Sequence, residues 1–122
     1  MLGLQANMTE DEVAATQLKH AINGYVYCNI PGLNMTSGQR VRWYVLSLGN
    51  EDSLHTAHWH GISLLANGKH MDQVVVQSSS LLVLDAYTDN PGTWLFHCHL
   101  TDHIDGGMMA LFTVTGAKPV HT

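Results

Sequence analysis

The chain has 122 residues, 45% of them apolar and only 12% charged, with five basic against ten acidic side chains for a net charge of −5. That is the length of one ordinary domain with apolar content enough for a core, and it excludes a disordered chain, a coiled coil and a nucleic-acid footprint. The apolar runs, such as residues 81–84, fall far short of the roughly 18 residues a membrane span needs, and residues 1–7 lack the basic-then-apolar pattern of a signal peptide.

Taken in order, Thr9-Glu-Asp-Glu12 has the spacing of a capping box and predicts a short helix over roughly residues 10–18. After His20 the pattern changes to short β-rich runs divided by turn residues. Residues 22–28 form the first expected strand, stopped by Asn29-Ile-Pro-Gly32. Residues 41–46 form the second, between Ser37-Gly38 and Gly49-Asn50, and residues 57–65 the third, closed by the hairpin signal Asn67-Gly68. Residues 73–76 and 81–87 bracket a run of three serines. Asp89-Asn-Pro-Gly92 then turns the chain into residues 93–97, and 108–115 closes the fold. Seven short strands at this spacing predict one all-β domain, a Greek-key sandwich or barrel over 20–116, with an N-terminal segment at 1–19 and a tail at 117–122. Trp43, Tyr44 and Trp94 are expected in the core and Trp59 between strands, with His20, His70 and His121 at the surface. A lesser alternative has His70 lining a substrate approach. Asn7-Met-Thr and Asn34-Met-Thr match the glycosylation tripeptide, a pattern that arises often by chance.

Histidine is the anomaly of the composition. Six of the nine fall in two motifs, with His70 nearby: His55-Thr-Ala-His58-Trp-His60-Gly61 and His97-Cys98-His99-Leu-Thr-Asp-His103-Ile-Asp-Gly-Gly-Met108. A packed core seldom accepts that many imidazoles, because each ring brings polar atoms that need partners, so the clusters point to metal. Cys98, set between two histidines, suits a soft metal better than a disulfide, which leaves Cys28 as a spare thiol half-buried in a strand. Alternation along a strand sends His58 and His60 one way and Trp59 the other; likewise His97 and His99 oppose Cys98. On the thiolate side His55, His103 and a weak axial Met108 complete a His₂Cys set of blue-copper type. Zinc also takes Cys and His, though its sites do not usually recruit a thioether. On the other side His58, His60, His97 and His99 supply imidazole alone, which suits copper and is about half of what a three-copper cluster requires. Cys98 is covalently adjacent to His97 and His99, a short through-bond link between the two sides.

These motifs, with His20-Ala-Ile-Asn-Gly-Tyr25, Arg42-Trp-Tyr44 and Asn90-Pro-Gly-Thr-Trp-Leu-Phe-His97, resemble the C-terminal cupredoxin domain of multicopper oxidases, above all the ceruloplasmin and hephaestin branch and its microbial relatives. The resemblance runs over residues 20–114. It implies a cupredoxin-like Greek-key sandwich, with His55, Cys98, His103 and Met108 as type 1 copper ligands, His58 on type 2 copper, and His60, His97 and His99 on the type 3 pair. It further implies oxidation of a substrate such as iron(II), copper(I) or a phenol at type 1 copper. Dioxygen is then reduced to water at the trinuclear site, with Cys98, His97 and His99 at the centre of the catalysis. An extracellular or periplasmic location follows from the same resemblance.

Two departures shape the expectation. In the family the cluster lies between two domains, each giving two His-x-His pairs, and this chain supplies one set. The family's first strands are also replaced ahead of His20 by the predicted helix. A second chain in a homo-oligomer, or another cupredoxin domain, is therefore the expected partner, which would also cover unpaired sheet edges. Neither nucleic acid nor a membrane span is expected. Asp102 and Asp105 flank His103, while Glu51 and Asp52 precede His55. Ferroxidase-type relatives use carboxylates to hold iron(II) near type 1 copper, and loop solvation accounts for these four equally well. Two other readings stand beside the oxidase: a mononuclear blue-copper electron carrier, and a nitrite-reductase-like trimer with type 2 copper between chains.

Overall fold

Thr9 opens the first element. Its N–H donates to Glu12 Oε2 at 2.7 Å and the Glu12 N–H donates to Thr9 Oγ1 at 3.3 Å, the reciprocal bonds of a capping box. Helix α1, Glu10–Gln17, follows, and Lys19 Nζ donates to the Thr16 carbonyl at 3.1 Å to close its last turn. The structure, a computed structural model, describes residues 9–48 and 54–119. Asn7, the Gly49-Asn50 turn, Glu51, Asp52 and His121 lie outside the described residues.

The expected first strand is absent. Residues 22–28 hold only an isolated bridge between Ile22 and Tyr25. Asn23, Gly24, Tyr27 and Cys28 all take positive φ, which an extended strand does not accommodate. Cys28 is a free, half-buried thiol as expected, but it sits in this looped segment rather than in a strand.

Among the described residues nine strands follow: β1 Asn34–Thr36, β2 Arg40–Leu46, β3 Leu54–Trp59, β4 Leu64–Ala66, β5 Lys69–Met71, β6 Gln73–Gln77, β7 Leu81–Tyr87, β8 Gly92–Cys98 and β9 Met109–Thr115, with a short helix α2, Thr101–Asp105, before the last. They form a sandwich of a five-stranded sheet, β1-β9-β8-β3-β6, and a four-stranded sheet, β2-β7-β4-β5. The expected third strand splits into β3 and β4 because Gly61, at φ +73°, turns the chain between them. Strand β5 is the return arm of the Asn67-Gly68 hairpin, whose two central residues both have positive φ as a two-residue type I′ loop requires. The three-residue β1, too short to read as a run, pairs parallel with β9.

Alternation places the core between the sheets. Trp59, Leu64, Val76, Phe112 and Val114 are almost wholly buried. Trp43 meets Trp59, Phe96 and Phe112 at ring-centroid distances of 5.6, 5.4 and 5.8 Å. Tyr44, expected beside it in the core, is instead 67% exposed, because its neighbour Trp43 takes the inward position of β2. On the same outward face Arg42 Nε and Nη2 donate to the Asp85 carboxylate at 2.6 and 2.9 Å across the β2–β7 pair. Both side chains are about half exposed, so Arg42→Ala is expected to leave the thermal midpoint nearly unchanged in moderate salt, as circular dichroism melts will show. Among the described residues no helix is long and apolar enough to cross a membrane.

Candidate metal centres

The register of β3 against β8 builds two donor groups on opposite faces of one sheet. Ala57 pairs with Cys98, His58 with His97 and Trp59 with Phe96. Because alternate residues face opposite ways, Cys98 points into the sandwich while His58 and His97, directly opposite each other, point out.

The inner group joins three elements. Cys98 Sγ lies 3.7 Å from His55 Nδ1 on β3 and 3.4 Å from His103 Nδ1 on α2, and the two Nδ1 atoms are 3.1 Å apart. Cys98 is 3% exposed. Helix α2 brings His103 back over the strand end, and the Cys98 N–H donates to the Met108 carbonyl at 3.1 Å, which sets the backbone of Met108 beside the group. Burial holds the His55 imidazole below its ordinary pKa, with the nearby charge of His20 adding to it. For His103 burial again comes first, then His20 and His55, against a smaller raising effect of Asp102.

The outer group is imidazole alone. His97 Nδ1 is 2.8 Å from the Cys98 carbonyl, and since a carbonyl only accepts, that nitrogen carries the hydrogen. The lone pair of His97 is then on Nε2, which faces His58 Nδ1 at 3.2 Å and His60 Nε2 at 3.1 Å. His99 is exposed, its ring 5.2 Å from that of His58 and 5.5 Å from that of His97, and its nitrogens fall outside the 4.8 Å span that gathers the other three. Burial lowers the His58 pKa, helped by His60 and His97, and Asp72, with Oδ2 3.7 Å from His58 Nε2, opposes the shift.

Burial holds His55, His58 and His103 below the ordinary imidazole pKa in the folded state, so the unfolded chain takes up more protons as the medium becomes acid. The domain prepared without metal is therefore expected to keep its stability above about pH 6.5 and to lose it progressively below. A thermal-melt series across that window checks the direction; a midpoint that rises on acidification would contradict it.

The turn after His60 is locked. The His60 N–H donates to the Leu95 carbonyl at 2.8 Å. Asn90 Nδ2 donates to the Gly61 carbonyl at 2.9 Å, and Trp94 Nε1 donates to the Asn90 carbonyl at 3.0 Å. Trp94 thus lies against Gly61, half-buried and, as expected, packed against the core cluster. An open cleft of about 810 Å³ runs past His58, His60, His70, Asp72 and Trp94, with His70 itself exposed as expected.

His20 is not an ordinary surface residue. Its ring stacks on His103 at 4.2 Å with 23° between planes. The expected carboxylates Asp102 and Asp105 are exposed on α2. Asp72, Asn90 and the stacking role of His20 escape sequence reasoning, because each reaches its partner through tertiary pairing rather than motif spacing.

Both donor sets fit a metal. In each, ring nitrogens meet at 3.1–3.2 Å in partly buried surroundings, an arrangement that a shared cation satisfies better than facing lone pairs do. The inner N₂S set suits a soft ion, and the outer all-imidazole set suits copper or zinc.

Comparison with known proteins agrees with this chemistry. The sequence profile of the multicopper oxidase family matches residues 3–118. Hephaestin of Homo sapiens is 43% identical over 111 residues, 88% of this chain and 10% of that protein. Ceruloplasmin of Homo sapiens is 37% identical over 113 residues, 90% of this chain and 11% of its own length. Ferroxidase HEPHL1 of Mus musculus is 37% identical over 107 residues, 85% and 9% respectively. The chain therefore spans about a tenth of the curated relatives it matches. The multicopper oxidase of Campylobacter jejuni, described as a metallo-oxidase, superposes with a TM-score of 0.68 at 26% identity, covering 88% of this chain and 26% of that one. A Pediococcus acidilactici multi-copper oxidase shares the fold, with a TM-score of 0.70 at 18% identity over 86% of this chain and 27% of the other. With nearly its whole length matched by the family profile, and a Cys/His group and an all-His group built back to back on one sheet, this chain belongs to the multicopper oxidase family.

Proposed function

We propose that the chain is the electron-entry domain of a copper oxidase. Multicopper oxidases bind copper, and here His55, Cys98 and His103, with Met108 as a thioether donor, would hold type 1 copper. His58 would hold type 2 copper, and His60, His97 and His99 the type 3 pair. Copper on these donors supplies one-electron oxidation of a substrate and reduction of dioxygen to water. The observation that carries the reading is the link between the groups: Cys98 and His97 are bonded neighbours, and the His97 imidazole also donates to the Cys98 carbonyl at 2.8 Å. Ions held by the Cys98 sulfur and by the His97 imidazole would thereby be joined by the shortest connection a strand offers.

The chain's own residues set the rest. The Cys98 carbonyl fixes the His97 tautomer so that Nε2 faces the other imidazoles. Asp72, at His58 Nε2, favours a hydrogen there and leaves Nδ1 turned to His97. Burial favours the neutral, ligating form of His55 and His103. The outer imidazoles, from buried His97 to exposed His99, number about half of what a trinuclear site needs, so a second chain or a further cupredoxin domain completes the cluster. Iron(II) is the substrate this reading favours, since one relative is named a ferroxidase and the exposed Asp102 and Asp105 beside His103 offer hard oxygen donors. An extracellular or periplasmic setting belongs to the same reading.

The test is to load the purified chain with copper and measure metal per chain, the visible spectrum and the mass in solution together. A blue oligomer with two type 1 ions and one three-copper cluster per pair, about 2.5 coppers per chain, is the expected result. A blue monomer with about one copper per chain identifies an electron carrier instead, and about two per chain in a trimer the nitrite-reductase-like arrangement. No blue band overturns the ligand assignment.

A further inference from the structure

Residues 20–28, which are β-rich in composition yet form no strand, lie along the loop that follows α2. The His20 N–H donates to the Gly106 carbonyl at 3.0 Å, the Tyr27 N–H to Gly107 at 2.9 Å and the Cys28 N–H to Met109 at 3.0 Å. Tyr27 OH donates to the Asp105 carbonyl at 3.0 Å, and Lys19 Nζ approaches the same hydroxyl at 3.2 Å. The left-handed conformations of Tyr27 and Cys28 are what aim their N–H groups at that loop, and non-glycine residues hold such conformations only when their surroundings compensate.

The fit is close because two glycines permit it. A Cβ on Gly106 would come within 2.5 Å of His20 Cδ2, and one on Gly107 within 2.8 Å of Val26 Cβ and 3.1 Å of the Tyr27 ring. The His20 ring meanwhile lies flat on His103, 4.2 Å between centroids. His103 in turn has its Nδ1 3.4 Å from Cys98 Sγ. One short segment thus touches the stretch that carries both His103 and Met108, by its backbone at three points and by a stacked ring at the imidazole itself.

We infer that segment 20–28 is a brace for the ligand loop and that His20 is a positioning residue: its stacked ring fixes the tilt of His103 and, through the loop, the distance at which Met108 stands. The inference rests on the reading of His103 and Met108 as type 1 copper ligands. Ring orientation and axial distance tune such a site's spectrum and reduction potential, so the brace sets the potential at which substrate electrons are accepted.

The experiment compares wild type, His20→Ala and His20→Phe over the full chain, first without metal and then loaded with copper. Without metal, His20→Ala is expected to move the carbon-bound ring protons of His103 downfield in the NMR spectrum, as the stacked ring is lost. It is also expected to speed amide exchange at Tyr27, Cys28 and Met108 at least about fivefold, the effect of weakening a local network by roughly one hydrogen bond. The β2–β7 amides stay as they were, and His20→Phe, which keeps a ring on His103, stays close to wild type. With copper, His20→Ala shifts the visible band and the reduction potential while His20→Phe holds both. Unchanged His103 resonances and exchange in His20→Ala, or a His20→Phe chain that behaves like it, overturns the brace whatever copper does. A copper-loaded His20→Ala chain with wild-type band and potential overturns the positioning role. A wild type that never turns blue, with the metal-free results as expected, overturns the ligand assignment and leaves the brace standing.

Discussion

Cys98→Ser is expected to abolish the blue absorption and remove the inner-site copper while the sandwich and the outer imidazole group stay assembled. The thiolate is the one soft anionic donor of the inner group, 3.4 Å from His103 Nδ1 and 3.7 Å from His55 Nδ1. A serine hydroxyl of nearly the same size fills the space but stays protonated near neutral pH and is a hard donor, so both affinity and thiolate charge transfer are lost. Cys28, the other thiol of the chain, sits in the looped segment outside the donor group and cannot substitute. Loss of an outer partner of a metal ligand costs roughly 10–100-fold in affinity, and loss of the ligand itself is expected to exceed that. On the proposed reading, any oxidase turnover with iron(II) is lost alongside the colour. Elemental analysis, the visible spectrum and a thermal melt on one preparation separate the outcomes: metal-free colourless protein with a wild-type melt is the expected one, and a surviving blue band would place the electron-entry site elsewhere.

The two candidate donor groups were legible in the sequence because their residues lie close together in it. His55, His58, His97, Cys98 and His103 fall within two motifs; strand alternation sets His97 and Cys98 on opposite faces, the β3–β8 register brings His58 opposite His97, and helix α2 delivers His103. Strand β7 was readable to its ends for a similar local reason, as an apolar run between a serine turn and Asp89-Asn-Pro-Gly92. Residues 22–28 read as a strand on composition, but their hydrogen-bond partners, Gly107 and Met109, lie at the far end of the chain, and those partners decide the conformation. Tyr44 failed differently: with Trp43 and Tyr44 both apolar, alternation says that one faces in and one out without saying which. Asp72 reaches His58 because β6 pairs with β3, His58 opposite Gln73, and such pairings leave no mark in local spacing. His20 likewise stacks on a residue that only the closed sandwich brings near.

Gly61→Ala tests how tightly the outer group is held. Gly61 sits at φ +73°, and a Cβ there would fall inside the Trp94 indole, within 2.5 Å of Cε3. Trp94 has little room to yield, since its Nε1 donates to the Asn90 carbonyl at 3.0 Å, its far edge lies against Gly92, and Asn90 is itself bonded to the Gly61 carbonyl at 2.9 Å. Placing alanine in the left-handed region costs about 1 kcal/mol and overpacking a further 1–3 kcal/mol, so a loss of roughly 2–4 kcal/mol is expected. For a domain of this size that lowers the thermal midpoint by roughly 10–20 °C. The damage is local as well as global. Gly61 follows His60 directly, whereas His55, Cys98 and His103 form the group on the other face of the sheet. Below its melting point the variant is therefore expected to keep the blue band and to lose metal from the imidazole face. Trp94→Leu in the same chain opens space for the methyl group and should recover part of the midpoint, a coupling of the two substitutions that independent sites would not show. A Gly61→Ala chain that melts with wild type would mean the indole swings aside freely, and the lock on His60 would be looser than the hydrogen bonds through Asn90 imply.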